Sequence, residues 1–374
     1  MQIHLAIYHP QHAGILSAAI SLKADKIILL HRKEDNIAGI KSVIQSRGIQ
    51  CLCQEITFDT QLAREQFASI IDEYQHENLI LNASNGYQKL ILLAFEQFSN
   101  YGYPVFLVDK FTDKLHWMNC KNTEKDIHLS HQLKIHEYLK SFNTQVLDQG
   151  QTQAEPAASR KLTEWIITHI GEYDTAIASL NYMAMMANSN HSYELSSKEL
   201  KKQKFVELLK HFEAANLLSL RGRKLKFANK EARFYCNGGW LENHVFALIF
   251  GMRSKRPHIA DLAKGMLIVR NQGQVKNELD VVALSHNRLH IIECKTRRFS
   301  KSKDENAAAS SAIYRLDTIK SISGGLSGRA MLISYQPLNK YTLSRAKDLG
   351  IYCCSHLQLK QLERHLYHFF DNPQ

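Results

Sequence analysis

Short apolar runs alternate with amphipathic stretches through the first 110 residues. Ile3 to Tyr8, Lys26 to His31, Gln50 to Ile56, Asn78 to Asn82 and Pro104 to Val108 read as strands. Between them, Ala13 to Leu22, Ile37 to Arg47, Leu62 to Tyr74 and Tyr87 to Ser99 repeat apolar positions at helical spacing. Strands that are apolar almost throughout, alternating with such helices, predict an α/β fold: a parallel sheet covered on both faces. Ligands on such sheets bind beyond the carboxyl ends of the strands.

Two of the loops at those ends carry chemistry. His9, Pro10, Gln11 and His12 follow the first strand. Asn82, Ala83, Ser84, Asn85 and Gly86 follow the fourth and lead into a helix bearing Lys89. Small polar side chains, a glycine, free N–H groups at a helix start and a cation one turn in suit a phosphate. A cap on that helix by Ser84 or Asn85 is the structural alternative. Neither GxGxxG nor a P-loop is present, so the loops favour neither a dinucleotide enzyme nor an NTPase.

Residues 149–159 are small and polar with Pro156, and read as a linker. Residues 160–234 read as helices followed by a basic hairpin, Leu220 to Phe227. Helix plus basic hairpin suggests a winged helix able to touch nucleic acid; a structural connector with a solvated basic turn accounts for the same residues.

Beyond Trp240 the pattern changes to a hairpin that carries acids. Asn277 to Leu284 and Leu289 to Lys295 alternate as strands around a turn at residues 285–288. Strand period puts Glu293 and Lys295 on one face, and the hairpin brings Asp280 beside them. Converging charges on a half-buried sheet are costly unless they bind a cation or each other. Asp280 and Glu293 are hard oxygen ligands for Mg²⁺ or Mn²⁺, and the Cys294 carbonyl is a third donor. Lys295 would orient or deprotonate the attacking water. Glu242, in the first turns of a helix opened by Gly238-Gly239-Trp240-Leu241, is placed to join them, with Glu278 a further acid. An exposed structural Glu–Lys pair explains E-x-K alone, but not the added acids. His244, His286 and His290 read as surface or structural residues.

Charge sharpens this division. Of the formal net charge of +11, residues 1–150 contribute −2 and residues 151–374 contribute +13, so a polyanion should meet the C-terminal part. Arg297, Arg298, Lys301 and Lys303 are expected to touch substrate phosphates. No apolar run approaches the roughly 18 residues that span a bilayer. The N-terminus turns polar too early for a signal-peptide core. Seven cysteines without a CxxC pair favour a reducing cytoplasm.

Glu242, Asp280 and Glu293-x-Lys295 resemble the PD-(D/E)xK restriction-endonuclease-like superfamily. The strings GGWLE, ELDVV and IECKT are similar to those of CARF-domain nucleases associated with type III CRISPR systems. The resemblance implies a Rossmann-like CARF sensor (1–148), a linker (149–159), a helical or winged-helix-like connector (160–234) and a nuclease domain (235–374). It further implies a homodimer that binds a cyclic oligoadenylate, cyclic tetra-adenylate being the expected one, and then cuts DNA and/or RNA. A CARF motif close to N-x-T-G-G-T-K is matched at Asn82, Ser84, Gly86 and, one position late, Lys89; Asn85 and Tyr87 depart from it. The activator would meet His9, Gln11, His12, Asn82, Ser84, Asn85, Gly86 and Lys89. A nucleotide-sensing regulator that binds DNA through the connector without cutting is the alternative function.

Overall fold

The computed structural model describes residues 1–371, apart from 12, 110–111, 120–125, 130–132, 154–156, 271–272, 274, 297–304 and 325–327. The alternating N-terminal pattern folds as the sequence predicts. Strands β1 (Gln2–Ile7), β2 (Lys26–His31), β3 (Gln50–Glu55), β4 (Asn78–Asn82) and β5 (Val105–Asp109) are parallel, in order β3-β2-β1-β4-β5. Helices α1 (Ala13–Ser21), α2 (Ala38–Ser46), α3 (Thr60–Glu73) and α4 (Gln88–Asn100) connect them. Two short antiparallel strands, β6 (Lys114–Trp117) and β7 (Ile127–His128), extend the edge. Ile3, Leu5 and Ile7 face a core with Phe67 and Phe98 from α3 and α4. Ala6 and Tyr8 point the other way, toward α1, α2 and α5 (Ile135–Ser141).

That second face does not end at solvent. Helix α5 leads into β8 (Thr144–Asp148), which pairs antiparallel with β12 (Ile259–Arg270) as the edge of another sheet. Gly150 then approaches β12 so closely that a Cβ there would stand 2.2 Å from the Lys264 carbonyl. The polar stretch read as a linker therefore begins pinned to the C-terminal half.

The middle segment comprises α6 (Ala157–Thr168), α7 (Asp174–Met186), β9 (Ser192–Glu194), α8 (Ser197–Leu200), α9 (Gln203–Ala214), β10 (Leu218–Arg221), β11 (Lys224–Phe227) and α10 (Lys230–Phe234). From α7 onward the succession helix, strand, helix, helix, strand, strand, with sheet order β10-β11-β9, is that of a winged helix. A π-helical turn (Tyr235–Gly239) leads to α11 (Trp240–Met252). Then come β12, β13 (Lys276–Ser285), β14 (Arg288–Lys295), α12 (Glu305–Gly324), β15 (Arg329–Ser334), α13 (Lys340–Asp348), β16 (Ile351–Ser355) and α14 (Leu362–Asp371). The six strands lie in order β16-β15-β14-β13-β12-β8, with β14, β15 and β16 parallel.

This second sheet is buried on both faces, which explains why β13 and β14 are so apolar. One face (Val281, Ile292, Cys294, Met331) packs on α11, α14 and the winged helix. The other (Val282, Ile291, Leu332) packs on α5 and α12, in the same continuous core as Ile40 and Val43 of the first sheet's helices. Arg47, just beyond α2, braces this junction through two hydrogen bonds to Glu137 of α5, one of 2.6 Å. Burial alone would raise the Glu137 pKa, but Arg47 and the Lys134 N–H hold it below the usual carboxylate value. A lowered carboxyl pKa contributes stability above the unfolded pKa that is lost as pH falls through the folded one. Glu137→Gln is thus expected to cost on the order of 1 kcal/mol at pH 7 in chemical denaturation. The difference should shrink on acidification below about pH 4.5. Among the described residues no helix is long and apolar enough to cross a membrane.

Candidate active site and sensor loops

The acid-bearing hairpin turns at His286 and Asn287, both with positive φ, so the register follows from a tight two-residue turn. The β13–β14 pairing runs from Ser285↔Arg288 to Val281↔Ile292. One residue farther the side chain of Asp280 takes over, accepting the Cys294 N–H at 2.7 Å. Asp280 is thereby fixed against the strand that carries Glu293 and Lys295. The Glu293 side chain is only 4% exposed and accepts from Lys295 Nζ and, at 3.4 Å, from Arg315 Nη1 of α12.

Glu242 comes from the first turn of α11, and two glycines place it. Gly238 has φ +107°, and a Cβ there would stand 1.9 Å from Thr296 Oγ1, directly after Lys295. A Cβ on Gly239 would overlap the Phe234 ring at 2.2 Å. The glycine pair lets the start of α11 settle against the end of β14. Thr296 Oγ1 in turn lies 3.2 Å from the Asn181 amide of α7, tying the end of β14 to the winged helix.

Electrostatics show how tightly the acids are gathered. Burial, then the charges of Asp280 and Glu278, pushes Glu242 up to about 9. Burial and Glu293 push Asp280 up to about 7. Burial would lower Lys295, but Glu293 and Asp280 outweigh it and raise its pKa. Both nearby cations, Lys295 and Arg315, are spent on Glu293; neither Glu242 nor Asp280 has an ion-pair partner among the described residues. A divalent cation would let these crowded, buried carboxyls ionise together. Among the described residues no three His, Cys, Asp or Glu side chains stand together as a metal cage. The set expected here is leaner: Asp280, Glu293 and the Cys294 main-chain carbonyl. A cleft of about 450 Å³ opens beside the acids, lined by Glu242, Glu278, Lys264, Lys230 and Phe234.

Arg315 was not legible as part of this group, because it lies twenty-two residues from Glu293 on a separate helix. Arg297, Arg298, Lys301 and Lys303 lie outside the described residues. His290 and His244 are structural: His290 is buried against Phe369 and Phe370, and burial holds both well toward the neutral form.

At the carboxyl ends of β1 and β4 the two sensor loops do meet. Asn85 Oδ1 accepts the Gly14 N–H at 2.9 Å, and its Nδ2 donates to the Gln11 carbonyl at 2.7 Å. Asn82 holds the Ser84 N–H and reaches the Gly14 carbonyl, while Ser84 Oγ accepts the Val108 N–H. These bonds overturn the capping alternative: α4 starts after Tyr87 without a side-chain cap. Gly86, at φ +148°, turns the chain over Ile7 and Ile91. Lys89 donates to the Phe58 carbonyl at 2.6 Å. His9 meets the Tyr87 ring edge-on at 5.1 Å. His12 lies outside the described residues.

Sequence reasoning missed the third member of this cluster, the loop after β2. Arg32 lies 4.1 Å over the Tyr87 ring and 3.0 Å from Asp35, whose carboxylate also accepts the Tyr87 hydroxyl at 2.9 Å. The rule that ligands bind beyond strand ends applies equally to β2, and would have flagged Arg32 and Asp35. Burial first, then Asp35, raises the Tyr87 pKa to about 12.

Residues 229–372 match the family model described as Card1-like, endonuclease domain. Over the whole chain the fold is similar to that of protein VC1899 from Vibrio cholerae, at 27% identity and TM-score 0.90, covering 100% of this chain and 98% of that one. It is also similar to Can2 from Sulfobacillus thermosulfidooxidans in complex with cyclic tetra-adenylate, at 23% identity and TM-score 0.82, covering 99% of each chain. A type III CRISPR defence DNA nuclease activated by cyclic oligoadenylate matches at 12% identity and TM-score 0.59, over 97% of this chain and 51% of that one. At these identities the last two speak for fold alone. No curated protein matches the chain in sequence.

Proposed function

We propose a metal-dependent nuclease switched on by a cyclic oligoadenylate, a reading supported by the match of residues 229–372 to the Card1-like endonuclease-domain model and by the likeness in fold to Can2 in complex with cyclic tetra-adenylate. One observation carries the reading: Glu242, Asp280, Glu293 and Lys295 are gathered within that domain, and neither Glu242 nor Asp280 is ion-paired to a described cation. Asp280, Glu293 and the Cys294 carbonyl would hold Mg²⁺ or Mn²⁺, which when bound lowers the pKa of water and offsets charge on the phosphate. Lys295, pinned on Glu293, orients the attacking water and faces the scissile phosphate. Glu242, its pKa raised to about 9 by burial and by Asp280 and Glu278, would add a further carboxyl to the acid cluster.

The activator would lie across the loops beyond β1, β2 and β4. Lys89, Arg32 and the free N–H groups at the start of α4 offer positive partners, and the Tyr87 and Phe58 rings offer faces for adenines. Two copies would share one ring, so that binding and dimer rearrangement are a single event. Because the sensor's helices and the nuclease sheet share a core, a shift in one alters packing in the other.

The test is direct. Supercoiled DNA and single-stranded RNA are incubated with the protein and Mn²⁺, with and without cyclic tetra-adenylate, while light scattering follows the dimer. Cleavage of either substrate that needs both additives and stops with chelator is expected. Cleavage indifferent to the nucleotide would refute the switch, and no cleavage of any substrate would refute the nuclease.

A further inference from the structure

The winged helix is left without a task by the proposed chemistry, yet its outer face is charged in a way that folding disfavours. In the β10–β11 hairpin Arg221 stands directly opposite Lys224, and Ser219 opposite Lys226. Leu225 and Phe227 alternate inward to the core, so Lys224 and Lys226 share the exposed face. Like charges placed opposite each other across a ladder are destabilising. The acid of this face is Glu194 of β9, opposite Lys224 and 3.8 Å from Arg223. Arg221 and Lys226 have no ion-pair partner among the described residues. Arg223 also donates to the Leu195 carbonyl, joining the wing to the segment that enters α8. From there Lys198, Lys201 and Lys202 follow, all exposed. Lys204, by contrast, is engaged with Glu172, Glu207 and the Tyr173 ring.

Two further features define the partner. Three residues beyond Phe227 the chain leaving β11 reaches Lys230, which with Phe234 lines the same cleft as Glu242 and Glu278. On the wing and α9 the rings are packed away: Phe205, Phe212 and Phe227 are buried and Tyr193 packs on the core. Single-strand binders present exposed rings on which bases stack; the β10–β11 hairpin presents none, and the exposed Tyr182 and Phe234 lie off it, on α7 and α10. Helix α9 moreover balances Lys204 and Lys210 with Glu207 and Glu213, so it offers a groove's phosphates no net positive charge.

We infer that the winged helix, through Arg221, Lys224 and Lys226, docks the phosphate backbone of a nucleic-acid duplex without reading its sequence and delivers it to the cleft beside Glu242. The inference rests on the nuclease reading only for what happens after docking.

The test uses the full chain carrying Glu293→Gln, without metal, binding a short DNA duplex and its single strand over a KCl series. Adding Arg221→Ala, Lys224→Ala and Lys226→Ala together should weaken duplex binding about tenfold or more and lower the salt slope by about 3. Lys204→Ala should change neither. Because the three side chains are exposed and Arg221 stands opposite Lys224, the thermal midpoint should hold. Unchanged duplex affinity and slope in the triple variant would overturn the inference, as would a loss confined to the single strand. A chain with Glu293 intact that, given Mn²⁺ and cyclic tetra-adenylate, binds duplex through the wing but never cuts would defeat the nuclease reading alone. A chain with Glu293 intact that cuts under those conditions, with the wing variant undiminished in binding, would defeat the wing alone.

Discussion

Replacing Glu293 by Gln, or Lys295 by Ala, is expected to reduce cleavage by about 10³-fold or more while leaving the binding of cyclic tetra-adenylate unchanged. Glu293 is at once the proposed metal ligand and the anchor that points Lys295, so either substitution removes two functions. Titration calorimetry with the nucleotide and single-turnover cleavage measure the two halves separately. Activity retained in both variants would place the chemistry elsewhere. Asp280→Asn should be equally inactive, yet its stability should move the other way. Asparagine can still accept the Cys294 N–H, while the repulsion from Glu293 and Glu242 disappears. A carboxyl whose folded pKa is raised favours the fold while protonated, and that contribution is lost as pH rises through the folded value. The metal-free Asn variant should therefore melt at a higher temperature than the parent above about pH 7, and no higher near pH 4. Equal melting at both pH values would show that the acids do not strain one another.

The second large effect is expected at Gly238. An alanine there must adopt φ near +107° and place its Cβ on Thr296 Oγ1. The backbone strain alone is worth roughly 1–3 kcal/mol, and the overlap adds to it. The relief available is to move the start of α11 away from the end of β14, which separates Glu242 from Asp280 and Lys295. A displacement of about 1 Å in such a site costs on the order of 10²-fold in rate. Gly238→Ala should thus lose both stability and cleavage. Adding Thr296→Ala, which leaves the nearest side-chain atom at 3.0 Å, should restore part of each. Without partial rescue, the glycine acts through its own backbone freedom and not through the contact.

Much of this was legible in the chain. The strands and helices of the first sheet follow from runs such as Lys26 to His31, where Ile27 to Leu30 are all buried by parallel neighbours and covering helices. The hairpin with Asp280, Glu293 and Lys295 follows from period-two alternation. What stayed hidden depends on partners far along the chain. Thr144 to Asp148 looks unremarkable alone, because it becomes a strand by pairing with residues 267–270. Asn85 reads as a helix cap until its two bonds to the first loop are seen. Arg32 looks like one more solvated charge until the Tyr87 ring lies beneath it. GGWLE is visible as a string, but the Thr296 methyl and hydroxyl that require its first glycine are fifty-eight residues away.

The edge strand β8 also limits how such proteins can be recombined. It belongs by connection to the sensor and by pairing to the sheet that holds the acids. A sensor cassette exchanged at the polar stretch after residue 148 would carry that strand away and leave β12 with an open edge, a template for unwanted pairing between molecules. A cassette cut before Thr144 would keep the sheet closed, but would sever the connection from α5. Chimeras that change ligand response while retaining the cutting domain therefore need donor and recipient to agree on residues 144–151, a short stretch outside both centres.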